Sequence, residues 1–200
     1  MRELIAILRG IKPDEVEKIS EAIFESGISK IEVPLNSPNP FDSIERLANQ
    51  FSNNAIVGAG TVLSAGQVID VAQAGGQMVV SPNCNVKVIQ ATKENKLLSY
   101  PGVFTATECF EALNAGADGL KLFPASVLGI DGLKALKAVL PLDVITYGVS
   151  GIAPDNFQLW CDAGMTGFGM GSYLYKPGAS VSEVKSRAEQ LVHAYDACLH

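Results

Sequence analysis

The sequence predicts an α/β fold, a closed (β/α)8 TIM barrel spanning residues 1–200 as one domain. Three observations predict it. Short apolar runs begin near Leu4, Ser29, Ala55, Gln77, Lys96, Asp118, Asp143 and Thr166, giving eight units. Each is about the length of a strand buried on both faces, as parallel strands are. The segments between them carry helix patterns, and no linker or break in composition divides the chain. An open doubly wound sheet is the rival architecture, but its first turn is normally a glycine-rich dinucleotide loop. Here that turn reads Arg9-Gly10-Ile11-Lys12-Pro13.

Helix starts follow from local chemistry. Lys12-Pro13-Asp14-Glu15 places a proline where its missing N–H does no harm and acids where the helix dipole favours them. Ser64-x-x-Gln67, Thr105-x-x-Glu108 and Ser180-x-x-Glu183 fit capping boxes. Gly129 to Leu140 is helical in pattern. Val181, Val184, Ala188, Leu191 and Tyr195 share one face of a last, outer helix.

Composition narrows the function. Hydrophobic residues make up 48% and charged residues 18%, an ordinary globular balance. The net charge of −6, with no basic block, argues against a nucleic-acid partner. The opening apolar run, Leu4 to Leu8, is too short to span a membrane and lacks a cleavage pattern. Cys84, Cys109, Cys161 and Cys198 form no metal spacing. They read as reduced, half-buried residues in a reducing, cytoplasmic compartment. The only histidines, His193 and His200, lie in or after the last helix, which argues against metal chemistry.

Charges inside strands carry the chemistry. Side chains alternate along a strand. In Ile31-Glu32-Val33-Pro34-Leu35 the apolar set faces the helices, so Glu32 points into the barrel. In Gly119-Leu120-Lys121-Leu122-Phe123, Lys121 points there too. Buried charges are costly unless they pair or react. One reading is a structural ion pair. The other is a catalytic pair, in which an apolar cage depresses the lysine pKa and the neutral amine attacks a ketone. Arg9, at the end of the first strand, is either a surface arginine or a clamp for a carboxylate. Gly148-Val149-Ser150-Gly151 and Gly167-Phe168-Gly169-Met170-Gly171-Ser172 read as glycine-rich turns after the last two strands, where barrels often bind phosphate. Gly58-Ala59-Gly60-Thr61 reads as a weaker version of the same signal.

Taken together, Ile7-Leu8-Arg9-Gly10, Ile31-Glu32-Val33, Gly58-Ala59-Gly60-Thr61-Val62, Ser81-Pro82-Asn83, Leu120-Lys121-Leu122-Phe123-Pro124 and the two glycine turns resemble the KDPG/KHG aldolase family, in family order over nearly the whole chain. The resemblance implies a metal-free, cofactor-free class I lyase that forms a Schiff base on Lys121, with Glu32 as general acid/base. It places Arg9, Thr61, Pro82 and Phe123 around the pyruvate unit. It places Ser150, Gly151, Gly171 and Ser172 around a phosphate, and it implies a homotrimer. Val33-Pro34-Leu35-Asn36-Ser37-Pro38 is closer to the branch that cleaves 2-dehydro-3-deoxy-6-phosphogalactonate. That makes Asn36 and Val149 the expected specificity residues, since gluconate-cleaving relatives tend to carry an Arg-Thr pair and a threonine there. Ser150 departs from the family, which usually has glycine at that position. The alternatives are the same retro-aldol cleavage of 2-dehydro-3-deoxy-6-phosphogluconate or 4-hydroxy-2-oxoglutarate, a phosphosugar isomerase or epimerase, and a non-catalytic phosphosugar-binding barrel.

Overall fold

The computed structural model describes residues 2–51 and 54–198. Nine strands are found among them: β1 (Leu4–Ile7), β2 (Lys30–Pro34), β3 (Ile56–Gly60), β4 (Met78–Val80), β5 (Leu98–Tyr100), β6 (Gly102–Val103), β7 (Leu120–Leu122), β8 (Thr146–Val149) and β9 (Gly167–Met170). All pairings are parallel, in the order β5-β4-β3-β2-β1-β9-β8-β7-β6. The two ends of that order, β5 and β6, flank Pro101 and form one barrel stave. Proline has no N–H to give a ladder, and the stave changes partner there: β5 pairs with β4 and β6 with β7. The eight predicted apolar runs are therefore eight staves, the fifth broken by its proline.

The helices are α1 (Pro13–Glu25), α2 (Pro40–Phe51), α3 (Ala65–Gln73), α4 (Val86–Glu94), α5 (Ala106–Asn114), α6 (Ala125–Lys137), α7 (Phe157–Asp162) and α8 (Val181–Ala197). Gly129 interrupts α6 with φ 69° and ψ 173°, so the regular helix begins after it. Thr105 and Ser180 make full capping boxes with Glu108 and Glu183. Ser64 caps the Gln67 N–H as expected, but the Gln67 side chain accepts from Leu63 N–H, one residue before the cap. On α8 the predicted stripe is buried at Val184, Ala188, Leu191 and Tyr195, while Val181, the first residue of the helix, is 40% exposed.

Two apolar layers result from strand alternation. Ile31, Val33, Leu120 and Leu122 join the core between strands and helices. Ile5, Met78, Val80, Tyr100 and Tyr147 fill the lumen. A second charged group shares that lumen. Lys30 is 4% exposed and stands two residues before Glu32, on the same strand face. Its ammonium donates to Glu3 and to the Tyr147 hydroxyl, the latter at 2.8 Å, and Tyr147 in turn donates to Glu3. Tyr100 packs edge-on to Tyr147 at 5.1 Å between ring centroids. This cluster closes the barrel below Lys121. No helix among the described residues is long and apolar enough to cross a membrane.

Candidate active site

Glu32 on β2 and Lys121 on β7 both line the upper lumen, with Ile5, Ile7, Val80, Tyr100, Tyr147, Val149 and Gly169. Glu32 is 2% and Lys121 7% exposed. They feel each other's charge but make no direct ion pair, and Glu32 Oε2 has no hydrogen-bond partner. Burial raises the Glu32 carboxyl from 4.5 to about 7, with Lys121 and Arg9 pulling it partly back. Burial lowers Lys121 from its ordinary value; Glu32 opposes that shift and Arg9 adds to it. The Lys121 ammonium lies 4.9 Å from the centroid of the Phe123 ring.

The glycines of β3 explain how a carboxylate fits here. Gly58 and Gly60 are strand residues, not turn residues as the sequence suggested. Gly60 pairs with Pro34, two positions from Glu32 on the neighbouring strand. A Cβ at Gly60 would lie 1.2 Å from Glu32 Oε2, so the acid group occupies the space a side chain would fill. Thr61, which follows, has φ 58°. That is a strained conformation for a β-branched residue and costs about 1–3 kcal/mol. It turns the Thr61 hydroxyl toward Arg9.

Arg9 leaves β1 at the mouth of the barrel. Its Nη1 donates to Asn36 Oδ1 at 2.6 Å and to Thr61 Oγ1 at 3.5 Å. Asn36, read from sequence as a specificity residue, thus also holds Arg9. The next N–H, of Gly10, donates to buried Ser37 Oγ at 2.9 Å, tying the Arg9 turn to the loop after β2.

A second cavity of about 540 Å3 opens beside Arg9. It brings together Val149, Ser150, Gly151, Gly171 and Ser172, and it shares Ile7, Val149 and Gly169 with the lumen around Lys121. The two spaces adjoin along this wall, and Val149 stands between them. The sequence placed whole glycine runs in turns. In the structure Gly148 and Val149 end β8, Gly167 to Met170 form β9, and only Ser150-Gly151 and Gly171-Ser172 turn. Ser150 has φ 84° and Gly151 φ 73°. A left-handed backbone favours glycine, so Ser150 carries strain that a glycine there would avoid. Ser150 Oγ lies 3.5 Å from Ser126 Oγ at the start of α6.

Pro82 is half-buried just after β4, and its carbonyl abuts Gly102. Among the described residues no three His, Cys, Asp or Glu side chains converge as a metal site would need. Sequence reasoning missed Lys30, although its parity with Glu32 was a usable signal. It also missed Lys176, which lines the outer cavity.

A parallel barrel with its cavity at the C-terminal ends of the strands is an enzyme architecture. The family description Aldolase: KDPG and KHG aldolase matches residues 1–191. A probable 2-dehydro-3-deoxy-6-phosphogalactonate aldolase of Rhizobium meliloti is 48% identical over 98% of this chain and 92% of its own length. The 2-dehydro-3-deoxy-6-phosphogalactonate aldolase of Escherichia coli is 45% identical over 96% of this chain and 94% of its own. Among solved structures, native KDPGal superposes with a TM-score of 0.96 at 44% identity, covering 98% and 95% of the two chains. KDPG aldolase from Legionella pneumophila, solved with pyruvate captured as a covalent carbinolamine, gives 0.82 at 28% identity, over 98% of this chain and 94% of its own. The chain belongs to the KDPG and KHG aldolase family and is a carbon–carbon lyase by that membership.

Proposed function

We propose that this chain cleaves 2-dehydro-3-deoxy-6-phosphogalactonate to pyruvate and D-glyceraldehyde 3-phosphate through a Schiff base on Lys121. The observation that carries the reading is the buried Glu32/Lys121 pair at the barrel mouth. Burial pushes the two groups in opposite directions, toward a free amine and toward a carboxyl that exchanges protons near neutrality. Both shifts match their tasks.

Lys121 attacks the C2 ketone, and loss of water gives the iminium. Glu32 takes the proton of the C4 hydroxyl. The C3–C4 bond breaks, its electron pair moves toward the iminium nitrogen, and glyceraldehyde 3-phosphate leaves. The enamine carbon is protonated by way of Glu32, and water then releases pyruvate and the free lysine. Arg9, held by Asn36 and Thr61, binds the carboxylate, with Phe123 and Pro82 bordering the pyruvate unit. Ser150, Gly151, Gly171 and Ser172 hold the phosphate and orient the substrate. No metal or organic cofactor takes part in these steps. Asn36 and apolar Val149 favour the galactonate epimer, because a site that leaves a substrate hydroxyl unpaired penalises it.

The substrate is a phosphorylated sugar acid in this reading, with no nucleic-acid or membrane partner. The four free thiols suit the cytoplasm. The oligomer is a trimer, for which exposed Leu63, Val86, Phe104 and Phe110 offer an apolar flank; a monomeric mass in solution would remove that part.

The test is pyruvate release from the two C4-epimeric phosphates at equal concentration, with borohydride trapping of pyruvate on the protein. Faster release from the galactonate compound and trapping lost in Lys121→Ala are expected. Preference for the gluconate compound would discard the epimer assignment. Persistent trapping in Lys121→Ala would discard the Schiff-base assignment.

A further inference from the structure

The outer cavity has a charge to explain. No carboxylate lines it, and its cations are Arg9 and Lys176. Arg9 is committed at the inner end, to Asn36 and Thr61. The groups at the outer end, the Ser150 and Ser172 hydroxyls and the backbone of Gly151 and Gly171, are neutral. They can shape a phosphate site but cannot neutralise a dianion, and a charged donor makes a hydrogen bond roughly twice as strong as a neutral one.

Lys176 is placed to supply that charge. Its neighbours fix its backbone at the cavity rim. Leu174 and Tyr175 are buried, the Tyr175 hydroxyl donates to Glu15 at 3.2 Å, and Pro177 packs so closely on Gly10 that a Cβ there would come within 2.9 Å. The ammonium has no carboxylate partner among the described residues. Glu183, which borders the same rim, is engaged with Ser180 and stands 3.8 Å from Arg187. A compact ammonium on a flexible stem is suited to meet phosphate as a point charge.

We propose that Lys176 is the cation that neutralises the substrate phosphate and so sets the preference for phosphorylated over non-phosphorylated sugar acids. The inference rests on the aldolase reading above, so its test includes a measurement that does not need turnover. Inorganic phosphate binding is followed by calorimetry at low ionic strength in the wild type, Lys176→Gln and Lys176→Arg. In parallel, kcat and KM are compared for the phosphorylated acid and its dephosphorylated counterpart. Lys176→Gln is expected to weaken phosphate binding and raise KM for the phosphorylated acid about tenfold, leaving kcat and the dephosphorylated substrate within twofold. Lys176→Arg should restore most of the loss. Unweakened phosphate binding in Lys176→Gln, or an equal loss with both substrates, would overturn the assignment. A protein that releases no pyruvate but binds phosphate less tightly in Lys176→Gln would sink the aldolase reading and keep Lys176 as an anion site.

Discussion

Replacing Glu32 by Gln keeps the shape of the side chain and removes its titration. Burial raises the carboxyl from 4.5 to about 7. A group whose folded pKa lies above its unfolded value stabilises fully below the unfolded pKa, and that stability is lost as pH rises through the folded one. At 1.36 kcal/mol per pKa unit, the wild type should lose about 3 kcal/mol from this residue between pH 4 and 8. Gln loses nothing there. The variant minus wild-type stability should therefore grow by about that amount across the range, whatever its value at pH 4. Removing the carboxylate also withdraws the attraction that supports the Lys121 charge. A lysine with a depressed pKa gains stability as pH rises, so any titration of Lys121 in the variant adds in the same direction. Urea unfolding at half-unit pH steps measures the difference. Parallel curves for the two proteins would refute the desolvated state of Glu32 and, with it, the argument that burial tunes this acid for proton transfer.

The same titration should appear in catalysis: kcat/KM is expected to fall on the acid side through about pH 7 and to lose that limb in Glu32→Gln, read from initial rates of pyruvate release. Gly60→Ala places a methyl where the Glu32 carboxylate sits; it should cut turnover at least a hundredfold and destabilise by about 1–3 kcal/mol, checked by the same rate assay and urea unfolding. Lys121→Met should abolish borohydride trapping of pyruvate, with circular dichroism checking that the fold is retained. Ser150→Gly relieves a left-handed residue and should stabilise by about 1 kcal/mol, while an accompanying rise in KM for the phosphorylated acid would assign the hydroxyl a role in phosphate binding.

The barrel was legible because buried parallel strands are apolar almost throughout, and Glu32 and Lys121 stood out because each breaks such a run. Strand parity then aimed both side chains into the lumen. What stayed hidden depends on contacts between distant strands. Gly60 looked like a turn glycine until β3 was set beside β2 and its missing side chain became the seat of the Glu32 carboxylate. Asn36 read as a substrate contact, whereas its bond to Arg9 depends on the fold bringing β1 and β2 together. Pro101 sat inside an apolar run that gave no hint of a change of partner. The cysteines showed no metal spacing, yet the Cys161 thiol on α7 meets that of Cys198, just after α8, and burial pushes it up to about 12.

The cluster of Glu3, Lys30 and Tyr147 plugs the lumen below Lys121. In the proposed mechanism, traffic to and from Lys121 then passes on the side away from this plug. The fragment held covalently on Lys121 leaves after the phosphorylated fragment above it and, in the reverse direction, enters first. An order of release would thus follow from a plugged lumen, without any moving gate.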